Sequence, residues 1–321
     1  MQHYENSNSK GDGRMNRPKL IMMCGLPGSG KSTFAKSLAE KCDANIHSSD
    51  ALREELLEDI NDQTNNELVF QTLHQRIKDD LKNGKSCIYD ACQVTYKSRM
   101  SFLQQLNKIP CEKICVIMAT PYEVCLERSQ KRERKVPERV IKRMYMKFDP
   151  PWYYEGWDNI WVEYAPGSEN SLGWAREWVE NMKDYNQENP HHALTLGEHC
   201  WQAVKYINQS TPDSSSPTEL ICATMIHDCG KIFCKTFINT KGEVTEYAHY
   251  YGHEHTGSYD SLFYEVHCYN LRVAVLVRWH MQPYFWEKNH NEKQHDKYRK
   301  LWGENLYKDI MQLHFADKNA H

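Results

Sequence analysis

The chain has no uncharged apolar run long enough to cross a bilayer, no secretory leader pattern, no internal repeat and no low-complexity tract. A spanning segment, a solenoid and a fibrous array are therefore not expected. A Cys-x-x-Cys pair is also missing, although twelve cysteines are present. Cys24, Cys87, Cys115 and Cys222 fall inside apolar runs, as small buried hydrophobes do. Reduced thiols and a cytoplasmic location are the expectation, not a disulfide framework. Nor is there a large excess of charge: 40 Lys+Arg against 43 Asp+Glu leave a net charge of -3. Any site for a polyanion must then be a local patch. With 321 residues the chain exceeds the usual size of one domain, and two cores are expected.

The first 17 residues are polar and rich in Gly, Asn and Ser, which predicts a flexible tail over 1–17. Leu20 to Cys24 reads as a buried strand and Lys31 to Cys42 as a helix with Phe34, Ala35, Leu38 and Ala39 on its apolar face. Short apolar runs follow at Ala44 to His47, Cys87 to Tyr89 and Ile114 to Met118, separated by helical stretches. That alternation predicts an α/β domain over 18–165, a parallel sheet flanked by helices. Beyond it strand-like runs nearly vanish, so a linker is expected over 166–190 and an all-α domain over 191–321, with Asp213 to Pro217 as an internal loop.

Gly25-Leu26-Pro27-Gly28-Ser29-Gly30-Lys31-Ser32 sits between the first strand and the first helix and fills every position of the phosphate-binding loop pattern. Glycines let main-chain N–H groups close around phosphates, the lysine adds a cation, and the Ser32 hydroxyl ligates magnesium. ATP or another nucleoside triphosphate with magnesium is the implied cofactor. The second strand leads into Ser48-Ser49-Asp50 with Arg53 one helical turn on. Phosphoryl transfer to a hydroxyl needs a proton acceptor, for which Asp50 is suited, and a guanidinium suits a phosphate on the acceptor. An exposed N-cap beside a solvated arginine has the same spacing. Asp90 ends the third strand, as a substrate or magnesium-water orienter or as a helix cap. Arg128, Lys131, Arg132, Arg134, Lys135, Arg139, Lys142 and Arg143 make a basic helix-loop-helix after the last of these strands, where a lid arginine neutralises charge on a transferred phosphoryl group.

With these motifs in place, residues 20 to about 160 resemble a phage-type polynucleotide 5′-hydroxyl kinase domain. The resemblance implies that Gly28, Ser29, Gly30, Lys31, Ser32 and Thr33 surround ATP and magnesium, with Arg128 and Arg132 reaching it from the lid. It further implies that Asp50 is the general base, that Arg53 meets the acceptor's 3′-phosphate, and that Asp90 contacts substrate. Ala91-Cys92-Gln93 departs from the family, where an asparagine is more usual. Trp152, Tyr153, Tyr154 and Trp157 form an aromatic cluster suited to base stacking or to packing.

In the second half, the apolar run Leu220 to Ile226 delivers His227 and Asp228 into an interior. Burying both without partners is costly, and a metal ion resolves the cost by binding imidazole and carboxylate together. His199, His253, His280 and Asp317 are further candidates on separate segments. This order, with Gly230-Lys231 after the dyad, resembles the HD phosphohydrolase superfamily. By that resemblance His199, His227, Asp228 and Asp317 hold one metal, Asp228, His253 and His280 a second, and Lys231 meets the substrate phosphate. His249 and His255 are read as lying outside the ligand set, His249 at i−4 on the helical face of His253. Mixed N/O ligation suits Mn, Fe, Co, Ni or Zn, one or two ions.

Together the halves are similar to bacterial HD-domain polynucleotide kinases with the domain order reversed. The resemblance implies nucleic-acid end healing, with RNA favoured over DNA: phosphorylation of 5′-OH ends and removal of 3′-phosphate or 2′,3′-cyclic phosphate, with an RNA ligase as partner and no membrane. A small-molecule or nucleotide kinase fused to an HD nucleotidase is an alternative reading. A kinase with a non-catalytic HD module that docks RNA is another.

Overall fold

A computed structural model describes residues 2–5, 17–132, 134–164, 180–190, 193–210, 218–263 and 270–320. It divides into two compact units, Met1–Met144 with Pro151–Ser168, and Tyr145–Pro150 with Glu169–His321. This partition departs from a single boundary after residue 165. Tyr145 donates to Asp260 Oδ1 at 2.5 Å, Arg278 Nε donates to Asp149 Oδ1 at 2.6 Å, and the Phe148 ring packs edge-on against Tyr259. These contacts hold Tyr145–Pro150 in the second unit, and no compositional shift marks them. Residues 166–179 of the expected linker and the loop 213–217 lie outside the described residues.

The first unit is a six-stranded sheet in the order β1-β6-β5-β2-β4-β3, from β1 (Gln2–Glu5), β2 (Lys19–Cys24), β3 (Asn45–Ser48), β4 (Cys87–Asp90), β5 (Glu112–Ala119) and β6 (Asn159–Tyr164). All neighbours run parallel except β1, which pairs antiparallel with β6. The expected tail therefore contributes an edge strand at Gln2–Glu5: an edge offers free main-chain groups that pair with backbone whatever its side chains. β2 is buried on both faces, which is why it reads as a continuous apolar run. Parallel pairing requires crossovers. Helix α1 (Lys31–Cys42) supplies one, burying Ala35 and Leu38 against Ile21, Met23, Ile88 and Val116. Helices α2 (Ser49–Leu57), α3 (Asn66–Lys82), α4 (Tyr96–Leu103), α5 (Tyr122–Lys131) and α6 (Glu138–Tyr145) complete the layers. Because the chain moves from β2 to β3 and β4 on one side, then to β5 and β6 on the other, β2 is the point at which the winding reverses. The crevice beyond its carboxyl end is where such sheets bind ligands.

Behind that crevice Arg99 and Glu155, both fully buried, make a two-pronged ion pair at 2.7 Å per contact. Arg99 also donates to the Gln93 carbonyl, and Trp157 Nε1 donates to Glu155. This network ties the segment after β4 to the turn before β6. It also makes Trp157 a core residue, not a stacking surface.

The second unit is helical: α7 (Leu196–Ser210), α8 (Thr218–Ile226), α9 (Lys231–Cys234), α10 (His253–Asp260), α11 (Asn270–Trp279), α12 (Gln282–Lys288), α13 (Glu292–Trp302) and α14 (Glu304–Asn319). α11 is apolar nearly all round and is the central helix, with Leu271 and Val273 to Val277 fully buried. One hairpin, β7 (Thr236–Ile238) with β8 (Val244–His249), departs from the all-α expectation. Its strands are short and largely exposed, so they leave no apolar run in the sequence. His249 consequently lies on β8, not on the helix of His253, and bonds Thr245.

Removing one partner of a buried pair leaves the other charged and unsolvated, so Glu155→Ala should destabilise the first unit by about 3–5 kcal/mol in urea unfolding. Glu55→Ala, which breaks the exposed Arg76–Glu55 pair, should leave the transition in place. Equal effects would contradict this account.

Candidate active sites

In the first unit the loop after β2 turns through glycines that no other residue fits. Gly28 has φ of 89°, and a Cβ there would lie 2.2 Å from the Cys125 carbonyl oxygen on α5. Gly30, at φ 94°, caps α1 in the left-handed region. Thr120 Oγ1 donates to the Ser29 carbonyl at 2.9 Å and pins the loop to the end of β5. Lys31 is buried, its Nζ donating to the Leu26 carbonyl at 2.7 Å, while Ser32 and Thr33 are exposed at the mouth.

Asp90, at the end of β4, is buried. Burial lifts its carboxyl above the usual carboxylate range and Asp50 adds to the rise; a hydrogen bond from Ser32 and the charges of Lys31 and Arg132 oppose it. The helix-cap reading does not hold, because Ser48 caps α2 and Thr95 caps α4. Asp50 lies in the first turn of α2, half exposed, and accepts from Arg53 Nη1 at 3.1 Å. Arg53 is not solvated. It is buried, with Nη2 on Asn66 Oδ1 at 2.9 Å and its buried Nε without a hydrogen-bond partner among the described residues. Arg132 is exposed, and the lid arginine that reaches Asp50 is Arg134, which also donates to Asn61 Oδ1 at 3.2 Å. α5 ends at Lys131, so the chain is already extended at Arg132, and sequence spacing alone does not reveal which lid side chain turns inward.

In the second unit the six candidate residues converge. Donor atoms of His199, His227, Asp228 and Asp317 lie within 4.8 Å of one another, as do those of Asp228, His253 and His280, and all six residues are buried. Gly230 permits this approach: a Cβ there would stand 2.1 Å from the His253 carbonyl. Asp228 faces both groups. Its Oδ2 lies 3.5 Å from His199 Nε2 and from His227 Nε2, and its Oδ1 lies 3.1 Å from His253 Nε2 and 3.7 Å from His280 Nε2. Asp317 Oδ1 is 2.9 Å from His199 and 3.4 Å from His227.

The other ring nitrogens are already engaged. Nδ1 of His199, His227, His253 and His280 lies 2.6–2.8 Å from the carbonyls of Ala320, Thr224, Tyr250 and Val277. A carbonyl only accepts, so each Nδ1 carries a proton and each Nε2 is the nitrogen turned inward. His253 and His280 then face each other Nε2 to Nε2 at 3.2 Å, which is repulsive unless a cation or a proton intervenes. Burial disfavours a charged His227, but Asp228 and Asp317 outweigh it and hold its pKa well above the usual histidine value. The same attraction holds both carboxyls well below theirs despite burial, with Lys231 the larger contributor at Asp228 and His199 adding a hydrogen bond at Asp317. Buried imidazole and carboxylate in this mixture fit a borderline divalent transition ion. His227 Nε2 has no hydrogen-bond partner among the described residues.

Lys231 Nζ sits 2.7 Å from Asp228 Oδ2 and donates to Gln187 Oε1 at 2.9 Å. Gln187 falls in the expected linker and carries no motif. Tyr284 was likewise unmarked in the sequence; burial and the carboxylates of Asp317 and Asp228 push its phenol far up, and it bonds Asp317. His255 Nδ1 donates to the Phe148 carbonyl at 2.9 Å, away from the cluster.

Residues 20–151 match the family model of an AAA domain, and the first unit is a P-loop kinase-type fold. The chain is 30% identical over 144 residues to the L-seryl-tRNA(Sec) kinase of Methanococcus maripaludis, covering 43% of this chain and 56% of that protein. It therefore spans little more than half the length of that relative. Among solved structures, the Pnkp1/Rnl/Hen1 RNA repair complex is similar over 42% of this chain and 45% of that one, with 21% identity and a TM-score of 0.38. Shikimate kinase from Acinetobacter baumannii is similar over 51% of this chain and 93% of its own, with 21% identity and a TM-score of 0.33. No helix among the described residues is long and apolar enough to cross a membrane.

Asp90 is held above the ordinary carboxylate pKa, so its contribution to stability is present in acid and lost as pH rises through its folded pKa. Asp90→Asn should therefore gain thermal stability relative to the parent as pH rises toward neutrality. A difference in midpoint that does not change with pH would contradict the burial argument.

Proposed function

We propose that this chain heals nucleic-acid ends with two active centres. The first unit transfers the γ-phosphoryl group of ATP to 5′-OH ends, RNA favoured over DNA. The second, read as an HD-type phosphohydrolase, removes 3′-phosphate or 2′,3′-cyclic phosphate. The observation that carries this reading is the inward convergence of four Nδ1-anchored imidazoles on two carboxylates, on a chain whose other unit builds a phosphate-binding loop.

In the first unit the loop amides and Lys31 hold the triphosphate, Ser32 with Asp90 orients magnesium, Asp50 takes the proton of the attacking hydroxyl, and Arg53 grips an acceptor phosphate. Arg134 joins Arg132 and Arg128 as a lid cation. In the second unit His199, His227, Asp228 and Asp317 would hold one divalent ion and Asp228, His253 and His280 another. Such ions, drawn from Mn, Fe, Co, Ni or Zn, supply an acidified water and neutralise phosphoryl oxygens. Lys231 binds the phosphate. An RNA ligase is the natural consumer of the ends so made.

The relative's name supports a second reading, in which the hydroxyl is carried on an aminoacyl-tRNA and not at a 5′ end. One experiment separates the readings: ATP, magnesium and manganese with an RNA bearing 5′-OH and 2′,3′-cyclic phosphate ends, beside seryl-tRNA and free nucleosides. Lys31→Ala should abolish 5′ labelling alone and Asp228→Ala 3′-end processing alone. Loss of both activities from either change in a folded protein, or preference for seryl-tRNA or nucleosides, would count against end healing. Binding of RNA without hydrolysis would favour a non-catalytic second unit.

Because neighbouring carboxylates hold a proton on His227, binding at the first ion site should release it. Manganese affinity should then rise with pH with a slope of about one below that pKa, read by competition with a chelating indicator. A flat profile would mean that the ion binds elsewhere.

A further inference from the structure

Lys231 is buried with its ammonium beside the carboxylate that faces both histidine groups. A lysine stem has many rotamers, and burial against a carboxylate alone does not fix which way the remaining N–H groups point. Gln187, itself 1% exposed, supplies the fixation. Its Nε2 donates to the Leu194 carbonyl at 3.2 Å, so its Oε1 is left facing Lys231 Nζ at 2.9 Å. The amide cannot flip without placing two donors against the ammonium and an oxygen against a carbonyl. Tyr250 donates its hydroxyl to the Gln187 main-chain carbonyl, holds its ring 5.6 Å from the ammonium, and accepts from His253 Nδ1 at 2.8 Å through its own carbonyl. Two of the three donors of Lys231 are thus assigned to Asp228 and Gln187, and the third remains for an anion.

We propose that Gln187 is a positioning residue for phosphoester binding: its neutral amide sets the direction of Lys231 without cancelling its charge, so that the ammonium meets a phosphate oxygen of the substrate. This rests on the metal phosphohydrolase reading of the second unit. A carboxylate at 187 would neutralise Lys231 and press against the Leu194 carbonyl. An apolar side chain of equal length would keep the packing and release the ammonium onto Asp228.

The test uses the full chain loaded with manganese, hydrolysis of bis-p-nitrophenyl phosphate, inhibition by inorganic phosphate, and metal content by atomic emission. Gln187→Met should raise KM and the phosphate inhibition constant roughly tenfold, as loss of a hydrogen bond to a charged group does, with kcat nearly unchanged. Gln187→Glu should be worse in both constants, and both variants should retain the parent's metal content. If Gln187 acts through Lys231, the double variant Gln187→Met with Lys231→Met should match Lys231→Met alone. Multiplying effects, or metal lost from both Gln187 variants, would reduce Gln187 to packing and overturn the proposal. Unchanged constants in Gln187→Met and Gln187→Glu, beside an active parent, would also overturn it while leaving the metal reading intact. A parent that neither retains manganese nor cleaves the probe would remove that reading, and this one with it.

Discussion

One buried carboxylate organises the second unit. Asp228 presents Oδ2 to His199, His227 and Lys231 and Oδ1 to His253 and His280. Taking an ionised carboxylate out of water costs several kcal/mol unless cations and donors surround it. Here the compensation comes from α7, from the end of α8, from α9, from the start of α10 and from the residue after α11, so the helices must close around one point for any of them to be stable. Asp317 on α14 adds a second carboxylate to the same place, and two like charges so close need positive charge between them.

The phosphate loop of the first unit solves a related problem with little buried charge. It binds anions through main-chain amides and the amino end of α1, which carry no desolvation cost comparable to that of an ion. Two ionic groups there, Lys31 and Asp90, are buried, and they lie within electrostatic reach of each other. Beside the loop Asp50 is half exposed, with the buried Arg53 of α2 on one hand and Arg134, from the segment after α5, on the other. On the reading proposed above, a fixed phosphate cradle beside a partly exposed acceptor side would suit a kinase with a constant donor and a bulky acceptor.

Much of this was legible in the sequence wherever burial is two-sided or a motif is geometrically closed. β2 and β5 read as strands because both faces are buried, and α1 read as a helix over its observed range. The candidate ligands came from residue type and order, and their division into two groups was implied by the resemblance to HD phosphohydrolases. What escaped was decided by backbone or by neutral side chains. β6 alternates burial beside an aromatic cluster, β1 is recruited by an open edge, and the β7–β8 hairpin exposes Val244 and Ile238. That Arg134 reaches Asp50 depends on where α5 stops. Gln187 is uncharged and outside every motif, so only its two hydrogen bonds reveal its place.

The apolar run that ends in histidine has a physical cause beyond delivering a ligand to an interior. His227 immediately follows α8 and His280 immediately follows α11, and each engages a carbonyl three residues back, at Thr224 and Val277. The last carbonyls of a helix have no amide partner in the helix, so they are free to accept from a side chain. They also lie at the negative end of the helix dipole, which favours positive charge on the ring, whether it arrives as a proton or is shared from an ion at Nε2. One residue earlier, the imidazole would leave the helix on a different face and no longer point at Asp228. The position just past the helix end thus fixes tautomer and direction together.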